Sequence, residues 1–327
     1  MTTNLLEAEK LTKVFRQKGF LGTKHETVAV DNLSLVLPSE NPKIVAIAGE
    51  SGCGKTTLAR LILGFLTPSE GSISFKGKDI WKMTPQERMT YRKQMQAIFQ
   101  DPYEVYNPFY RIDHVFHLVI DSFGLANGSA HRREMIEEAL SSVGLRPGEV
   151  MGKYPHQLSG GQRQRIMVAR AFLLQPEVIV ADEPVSMIDT SLRGRILEII
   201  LDLKEKESIS FLYITHDLST AYQVSDEIYI LYLGSVMEAG DIDKVINNPQ
   251  HPYTQTLLQS IPVPERGTSW EERLVLKSTQ ETTLSIDGNR CKFYDRCRYS
   301  SSDMCTDGQP ALVEVEPNHR VACRLVS

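Results

Sequence analysis

The stretch Gly49-Glu50-Ser51-Gly52-Cys53-Gly54-Lys55-Thr56 follows a short apolar run over residues 43–48. That run predicts a buried strand, and the residues after the stretch predict a helix from about 56 to 63. A glycine-rich turn between a strand and a helix lets backbone N–H groups curl around phosphate oxygens, and the helix N-terminus adds partial positive charge. We therefore predict a phosphate loop, in which Lys55 reaches the β- and γ-phosphates of a nucleotide and the Thr56 hydroxyl binds Mg²⁺.

A second apolar run, over residues 178–181, ends at the paired carboxylates Asp182 and Glu183. Asp182 can hold Mg²⁺, directly or through water, and Glu183 can polarise an attacking water as general base. Two acids at a strand end are also a common surface feature, but the phosphate loop about 130 residues upstream favours the catalytic interpretation.

The remaining patterns place these two motifs in a mostly parallel α/β sheet, because predicted strands alternate with predicted helices. Residues 111–158 lack β-branched runs and show helical spacing, which predicts a helical insert. Proline and glycine then predict a linker over 261–290, before a small cysteine-bearing tail over 291–327. The other predicted strands lie at 33–37, 72–75, 96–99 and 211–214, and the other predicted helices at about 191–206 and 217–223.

Composition is that of a globular protein, with 327 residues, 41% hydrophobic and 24% charged. The net charge of −5 argues against a nucleic-acid partner. No apolar run is long enough to span a bilayer, and residues 1–10 do not resemble a secretory signal. We therefore expect the protein in the cytosol, with any membrane contact made through a partner.

The pentapeptide Leu158-Ser159-Gly160-Gly161-Gln162 lies between the phosphate loop and the Asp-Glu strand. In that order it resembles the signature of the ABC ATPases, and the resemblance covers about residues 5–245. It implies a P-loop NTPase core with a mostly parallel sheet, an antiparallel β subdomain and a helical subdomain at about 105–160. The nucleotide-binding domain is then residues 1–245, followed by a C-terminal extension over 246–327.

The resemblance also implies roles for individual residues. Phe15 matches the aromatic that stacks on adenine, His216 the histidine that contacts the γ-phosphate, and Asp189 the loop that communicates across a dimer. Ser159, Gly160, Gly161 and Gln162 match residues that bind the ATP held by a partner subunit. The implied Mg²⁺ ligands are Thr56, Gln100 and Asp182. The implied ATP-binding residues are Phe15, Gly49, Glu50, Ser51, Gly52, Cys53, Gly54, Lys55, Thr56, Thr57 and Gln100.

His251-Pro252-Tyr253-Thr254 resembles the start of the C-terminal extension in dipeptide and oligopeptide importers, and the Ser-Gly-Gly-Gln signature resembles their F-type ATPase. This implies a peripheral subunit on the cytoplasmic face of the membrane. Its implied partners are a second ATPase (as homodimer or heterodimer), two transmembrane permeases and, indirectly, a solute-binding protein. Sugar or nickel import stays an alternative. A soluble non-transport ABC ATPase fits less well, because the chain has one phosphate loop and no heptad run, and intact Lys55 and Glu183 argue against a regulatory protein with a vestigial site.

Four cysteines lie in the tail, with the spacing Cys-x5-Cys-x7-Cys-x17-Cys: Cys291, Cys297, Cys305 and Cys323. Thiolates suit zinc or iron–sulfur clusters, and cytosolic proteins seldom keep structural disulfides. No Cys-x2-Cys knuckle is present, which weakens the zinc interpretation. Peptide-importer ATPases with a similar tail imply a [4Fe-4S] cluster as the first choice, with zinc second and unligated thiols third.

Overall fold

The computed structural model describes residues 4–18, 24–101, 106–260, 290–300 and 304–326. The strands are β1 (Leu6–Lys18), β2 (Lys24–Leu37), β3 (Ile44–Ala48), β4 (Glu70–Phe75), β5 (Lys78–Asp79), β6 (Met95–Ile98), β7 (Val178–Asp182), β8 (Ser210–Thr215), β9 (Glu227–Tyr232), β10 (Ser235–Asp241), β11 (Val313–Glu316) and β12 (His319–Val321). The helices are α1 (Lys55–Ile62), α2 (Pro85–Gln94), α3 (Asp113–Phe123), α4 (Ser129–Ser142), α5 (Pro147–Val150), α6 (Gly160–Phe172), α7 (Thr190–Glu207), α8 (Leu218–Val224), α9 (Ile242–Asn247) and α10 (Pro252–Gln259). Short 3-10 turns occupy Pro155–Gln157 and Tyr294–Arg296.

The central sheet has the strand order β11-β12-β10-β9-β3-β8-β7-β6, and its strands from β9 to β6 are parallel. β3 and β8 are buried along their whole length, as continuous apolar runs between two layers require. The predicted mostly parallel α/β core is therefore confirmed. The observed bounds of β3, β7 and β8 differ from the predicted ones by a residue or two, which is the usual uncertainty at element ends.

A second sheet, β2-β1-β4-β5, is antiparallel and forms the β subdomain that the family resemblance implied. Its apolar side chains share one core with β3 and α1. β2 runs from Lys24 to Leu37 and stops before Pro38, so the strand predicted at 33–37 is its last third. This sheet places residues 27–29 opposite the phosphate loop.

The helical insert is present as α3, α4 and α5, close to the predicted limits of 111–158. Phe116 and Ile120 on α3, with Ile136 and Leu140 on α4, belong to the same buried cluster as α6 and α7. α6 therefore packs against both the insert and the central sheet.

The C-terminal extension continues the central sheet, because β12 pairs antiparallel with β10. Beneath this junction, the fully buried Glu238 accepts hydrogen bonds from the backbone N–H of His251 (2.9 Å) and from Nε2 of His319 (2.7 Å). Phe293 and Tyr253 pack on β3 and β9 in a shared cluster.

The linker predicted at 261–290 lies outside the described residues, apart from Arg290. Among the helices described here, none combines the length and the apolar character needed to cross a membrane.

His251 caps α10, since its Nδ1 accepts the backbone N–H of Tyr253 (3.0 Å). Burial lowers the pKa of His251 from 6.5 to about 4, which keeps the imidazole neutral. Since the folded pKa lies below the unfolded one, this neutral histidine stabilises the fold above pH 6.5, and its contribution is lost as the pH falls towards 4.

We expect the free energy of unfolding to fall by about 2 kcal/mol between pH 7 and pH 5 through this group alone. Urea denaturation at both pH values checks this. His251→Asn is the matched control, because asparagine keeps a cap acceptor but does not titrate. An equal pH dependence in both proteins would contradict the prediction.

Candidate functional site

The phosphate loop connects the carboxyl end of β3 to the N-terminus of α1, which is the connection that the sequence predicts. Lys55 is buried, and its ammonium donates to the carbonyl oxygens of Gly49 (2.7 Å) and Glu50 (2.9 Å). The first turn of α1 carries no acidic residue. The helix N-terminus and the lysine therefore present positive potential to one small region, as anion binding requires.

Two glycines make this loop sterically possible. Gly54 has φ of +107°, and a Cβ there would lie 2.0 Å from the carbonyl oxygen of Ala29. A Cβ on Gly49 would lie 2.2 Å from the carbonyl oxygen of Leu231. Because both obstacles are backbone atoms, no side chain is tolerated at either position, and the loop keeps close contact with β2 and β9.

Three polar side chains meet beyond the ends of β6, β7 and β8. Oε2 of Glu183 accepts from Nε2 of Gln100 (3.0 Å), and Oε1 of Glu183 lies 2.8 Å from Nδ1 of His216. Glu183 has φ of +48°, in the left-handed region that non-glycine residues adopt uncommonly. Carboxyl ends of parallel strands meet at one edge of a sheet, so residues far apart in sequence converge here.

Asp182 lies at the end of β7, next to the hydroxyl of Thr56. Burial raises the pKa of Asp182, while a hydrogen bond with the Thr56 side chain lowers it. Thr56, Gln100 and Asp182 also line one common cavity beside the phosphate loop. These are oxygen donors of the kind that Mg²⁺ prefers, and a bound cation would favour the ionised aspartate that burial opposes.

Most of the predicted nucleotide residues line a single cleft. It contains Ser51, Gly52, Gly54, Lys55, Thr56, Thr57, Gln100, Glu183 and His216. The rest of its wall is formed by residues that the motifs did not indicate: Thr27, Val28, Ala29, Leu233 and Gly234.

Phe15 lies on β1 opposite Thr27, 38% exposed, and is not among the lining side chains. Cys53 is buried with Sγ 3.7 Å from the Lys55 ammonium, and burial raises the pKa of its thiol.

The predicted signature residues lie away from this cleft. Ser159 is the N-cap of α6, where its hydroxyl accepts the backbone N–H of Gln162 (3.2 Å) and the Gln162 side chain accepts the Ser159 N–H (3.0 Å). Ser159 is exposed, and none of residues 159–162 lines the cleft. Asp189 is likewise exposed, at the N-terminus of α7. The chain thus presents a second exposed helix N-terminus, which does not line its own nucleotide cleft.

The four tail thiols meet at one small cavity, lined by Cys291, Cys297, Cys305 and Cys323 together with His251 and Phe293. Burial and the three neighbouring thiols raise the pKa of Cys291 to about 11. Among the described residues, no group of three or more His, Cys, Asp or Glu side chains is arranged to hold a metal ion. The thiols therefore converge without reaching the geometry of a site for a single ion.

Contacts between the extension and the phosphate loop escape the sequence patterns. Arg296 forms a bidentate ion pair with Glu50, and the Tyr253 hydroxyl accepts the Glu50 backbone N–H. Both partners are more than 200 residues from Glu50 in sequence. The sequence indicated a defined role for this region only through the resemblance of the His-Pro-Tyr segment to an importer extension and through the four tail cysteines.

This arrangement defines the class of protein: a phosphate loop, a carboxylate pair after a buried strand and a separate capped signature helix are the parts of an ATP-binding cassette ATPase. Residues 30–186 match the family model described as ABC transporter, and residues 237–305 match the model described as oligopeptide/dipeptide transporter, C-terminal region.

Relatives that match along nearly the whole chain identify the family within this class of ATPases. The oligopeptide transport ATP-binding protein AppF of Bacillus subtilis is 38% identical, over 99% of this chain and 98% of that protein. The dipeptide transport ATP-binding protein DppF of Escherichia coli is also 38% identical, over 94% of this chain and 90% of that protein. A dimeric, post-hydrolysis ATP-binding cassette, MJ0796 bound to ADP and Pi, superposes with a TM-score of 0.63 at 25% identity, covering 72% of this chain and 98% of that one. The chain belongs to the family of oligopeptide and dipeptide transport ATP-binding proteins, and it is an ATPase.

Proposed function

We propose that this protein binds and hydrolyses ATP to power the import of dipeptides or oligopeptides. The observation that carries the proposal is the combination of an ATP half-site with a His-Pro-Tyr extension that continues the same sheet. We assign residues 1–245 to the nucleotide-binding domain, with its helical subdomain at about 105–160, and residues 246–327 to the extension.

Within the site, Lys55 binds the β- and γ-phosphates, and Thr56, Gln100 and Asp182 hold Mg²⁺. Glu183 is the general base, and its hydrogen bond to His216 orients the carboxylate towards the γ-phosphate. We assign the stacking on adenine to Phe15, which pairs with the cleft residue Thr27 although its own side chain does not line the cleft. Mg²⁺, when bound, neutralises the charge that develops on the transferred phosphoryl group.

The exposed signature supports a head-to-tail dimer, in which Ser159–Gln162 of one subunit complete the ATP site of the other and Asp189 lies near the junction. The γ-phosphate then joins the two subunits, and hydrolysis releases them. A second ATPase subunit and two transmembrane permeases complete the importer, which places this chain on the cytoplasmic face of the membrane. The net charge of −5 fits a protein partner better than a nucleic acid.

Uptake measurements test the transport role. Cells lacking this gene should lose accumulation of labelled peptides, and the wild-type gene should restore it whereas Glu183→Gln should not. Loss of nickel or sugar uptake with peptide uptake intact would show that the assignment of peptides as the transported solute is wrong. Unchanged uptake of all three solutes would refute import.

We further propose that the tail thiols hold a [4Fe-4S] cluster, with zinc as the alternative. Four thiols on one cavity are the donor set of such a cluster. A cluster is larger than a single ion, so thiols that converge without forming a mononuclear site are compatible with it. When bound, it would act as a structural clip for a tail too small to hold a core of its own.

Protein purified without oxygen should be coloured and contain iron and acid-labile sulfide. Cys291→Ser should lose most of the iron, whereas Cys53→Ser should keep it, since Cys53 lies in the phosphate loop. A colourless, zinc-loaded protein would contradict the cluster, and iron lost equally from both variants would contradict its location.

A further inference from the structure

Glu50 of the phosphate loop is held by the C-terminal extension at both its backbone and its side chain. Its carboxylate accepts two hydrogen bonds from Arg296, each 2.8 Å, and its backbone N–H donates to the Tyr253 hydroxyl (3.1 Å). The Lys55 ammonium donates to the Glu50 carbonyl oxygen. One residue therefore joins the extension to the lysine of the ATP site.

Arg296 owes its position to the cysteine-bearing loop. It ends the 3-10 turn Tyr294–Arg296, directly before Cys297, and the N–H of Tyr294 donates to the carbonyl oxygen of Cys291 (2.9 Å). Its guanidinium lies over the rings of Tyr232 (5.6 Å) and Phe293 (5.7 Å). The backbone that carries Arg296 is therefore tied to both Cys291 and Cys297.

Lys292 makes a second connection, to the Leu233–Gly234 turn that lines the cleft. Its ammonium lies 2.7 Å from Oδ2 of Asp31, from the Leu233 carbonyl oxygen and from Oγ of Ser235. Its side chain is only 5% exposed, and three acceptors satisfy all three ammonium donors. Leu233 lines the nucleotide cleft directly, and Lys292 follows Cys291 in sequence.

We propose that the C-terminal extension positions the ATP site: Arg296 and Tyr253 hold the phosphate loop, Lys292 holds the Leu233–Gly234 turn of the cleft wall, and the four-cysteine cavity is thereby linked to ATP affinity. The inference rests on the proposed role of residues 49–56 as the phosphate loop. Linkage is reciprocal, so an arrangement of the tail that strengthens ATP binding must itself be stabilised by ATP. Arg296 and Lys292 are positioning residues, since neither lines the nucleotide cleft.

Nucleotide affinity gives the first test. Arg296→Gln should weaken the binding of a fluorescent ATP analogue about fivefold to tenfold, as expected for the loss of a bidentate, charge-assisted pair, and should raise KM more than it lowers kcat. Arg298→Gln is the matched control, because Arg298 lies in the same loop but contacts Gln255 and Tyr299. Arg296→Lys should restore part of the affinity, since it keeps the charge but not the fork.

Thiol reactivity gives the second test, independent of activity. A non-hydrolysable ATP analogue should slow the alkylation of Cys297 in the wild-type protein, measured peptide by peptide so that Cys53, which is buried in the phosphate loop, is scored separately. In Arg296→Gln the protection of Cys297 should disappear even at saturating analogue.

The outcomes separate this inference from the proposed function. If Lys55→Ala keeps full ATP affinity, the phosphate-loop assignment fails. If Lys55→Ala loses affinity but Arg296→Gln matches Arg298→Gln in both tests, the positioning role alone is overturned. If Arg296→Gln does not fold, the Cys297 protection in the wild-type protein and in Arg296→Lys decides, and its absence in the wild type overturns the linkage.

Discussion

Glu183→Gln is expected to lower ATP turnover by at least about 100-fold, the lower end of what a general base contributes. Glutamine has the same shape as glutamate but cannot accept a proton from the attacking water. The surrounding contacts should survive, because the glutamine oxygen can still accept from Gln100 and the amide can still meet His216, which already bond to the two glutamate oxygens. ATP binding should therefore be retained, and the ATP-bound dimer should accumulate because the γ-phosphate is not removed.

Phosphate release under saturating ATP measures the loss of turnover, and size-exclusion chromatography with ATP measures the dimer. Glu177→Gln is the matched control, since Glu177 precedes the other end of β7 and pairs with Lys76 on the surface. Its turnover should stay near that of the wild type. Turnover retained in Glu183→Gln would show that another group activates the water.

The sequence predicts those parts of the site that depend on residues adjacent to one another in the chain. β3, β7 and β8 are buried on both faces, so each reads as an apolar run, and the chemistry follows directly at Gly49, Glu183 and His216. The convergence of these three ends needs only the rule that parallel strands align their carboxyl termini. The catalytic edge could therefore be predicted before any contact was known.

The strand segments that escape prediction have irregular pairing. β1 pairs with β2 through register shifts between Ala8 and Val14, and β10 pairs with β9 through another between Val236 and Glu238. Each bulge breaks the alternation of apolar and polar residues that identifies a half-buried strand. These strands supply Val28, Ala29 and the Leu233–Gly234 turn, so one whole wall of the cleft is missing from the sequence-based site.

The Arg296–Glu50 pair could not be predicted from the sequence, for a different reason. Its partners are 246 residues apart, and nothing in the spacing of either segment indicates the other. The same holds for Glu238 and His319, which join β10 to β12. Family resemblance identified the extension, but only the folded chain brings it against the phosphate loop.

Ser159→Asp is expected to lower turnover by at least about 100-fold while leaving ATP binding by the isolated chain unchanged. Aspartate is as good an N-cap as serine, so the capping bond to Gln162 and the start of α6 should be kept. The new carboxylate, however, would face the γ-phosphate bound by the partner subunit, and such like-charge contacts cost several kcal/mol, with each 1.4 kcal/mol worth a factor of ten. The effect should fall on dimer formation because Ser159 does not line the chain's own cleft.

Ser159→Asn isolates the charge, because asparagine has the shape and capping ability of aspartate without its charge. Turnover and ATP-dependent association, measured with the native partner ATPase or with a second copy of this chain, should fall far more for Asp than for Asn. ATP affinity of the isolated chain should be the same for both variants. If Ser159→Asp instead abolishes ATP binding by the isolated chain, the signature belongs to the chain's own ATP site. The idea that each ATP site is shared between two subunits would then be wrong.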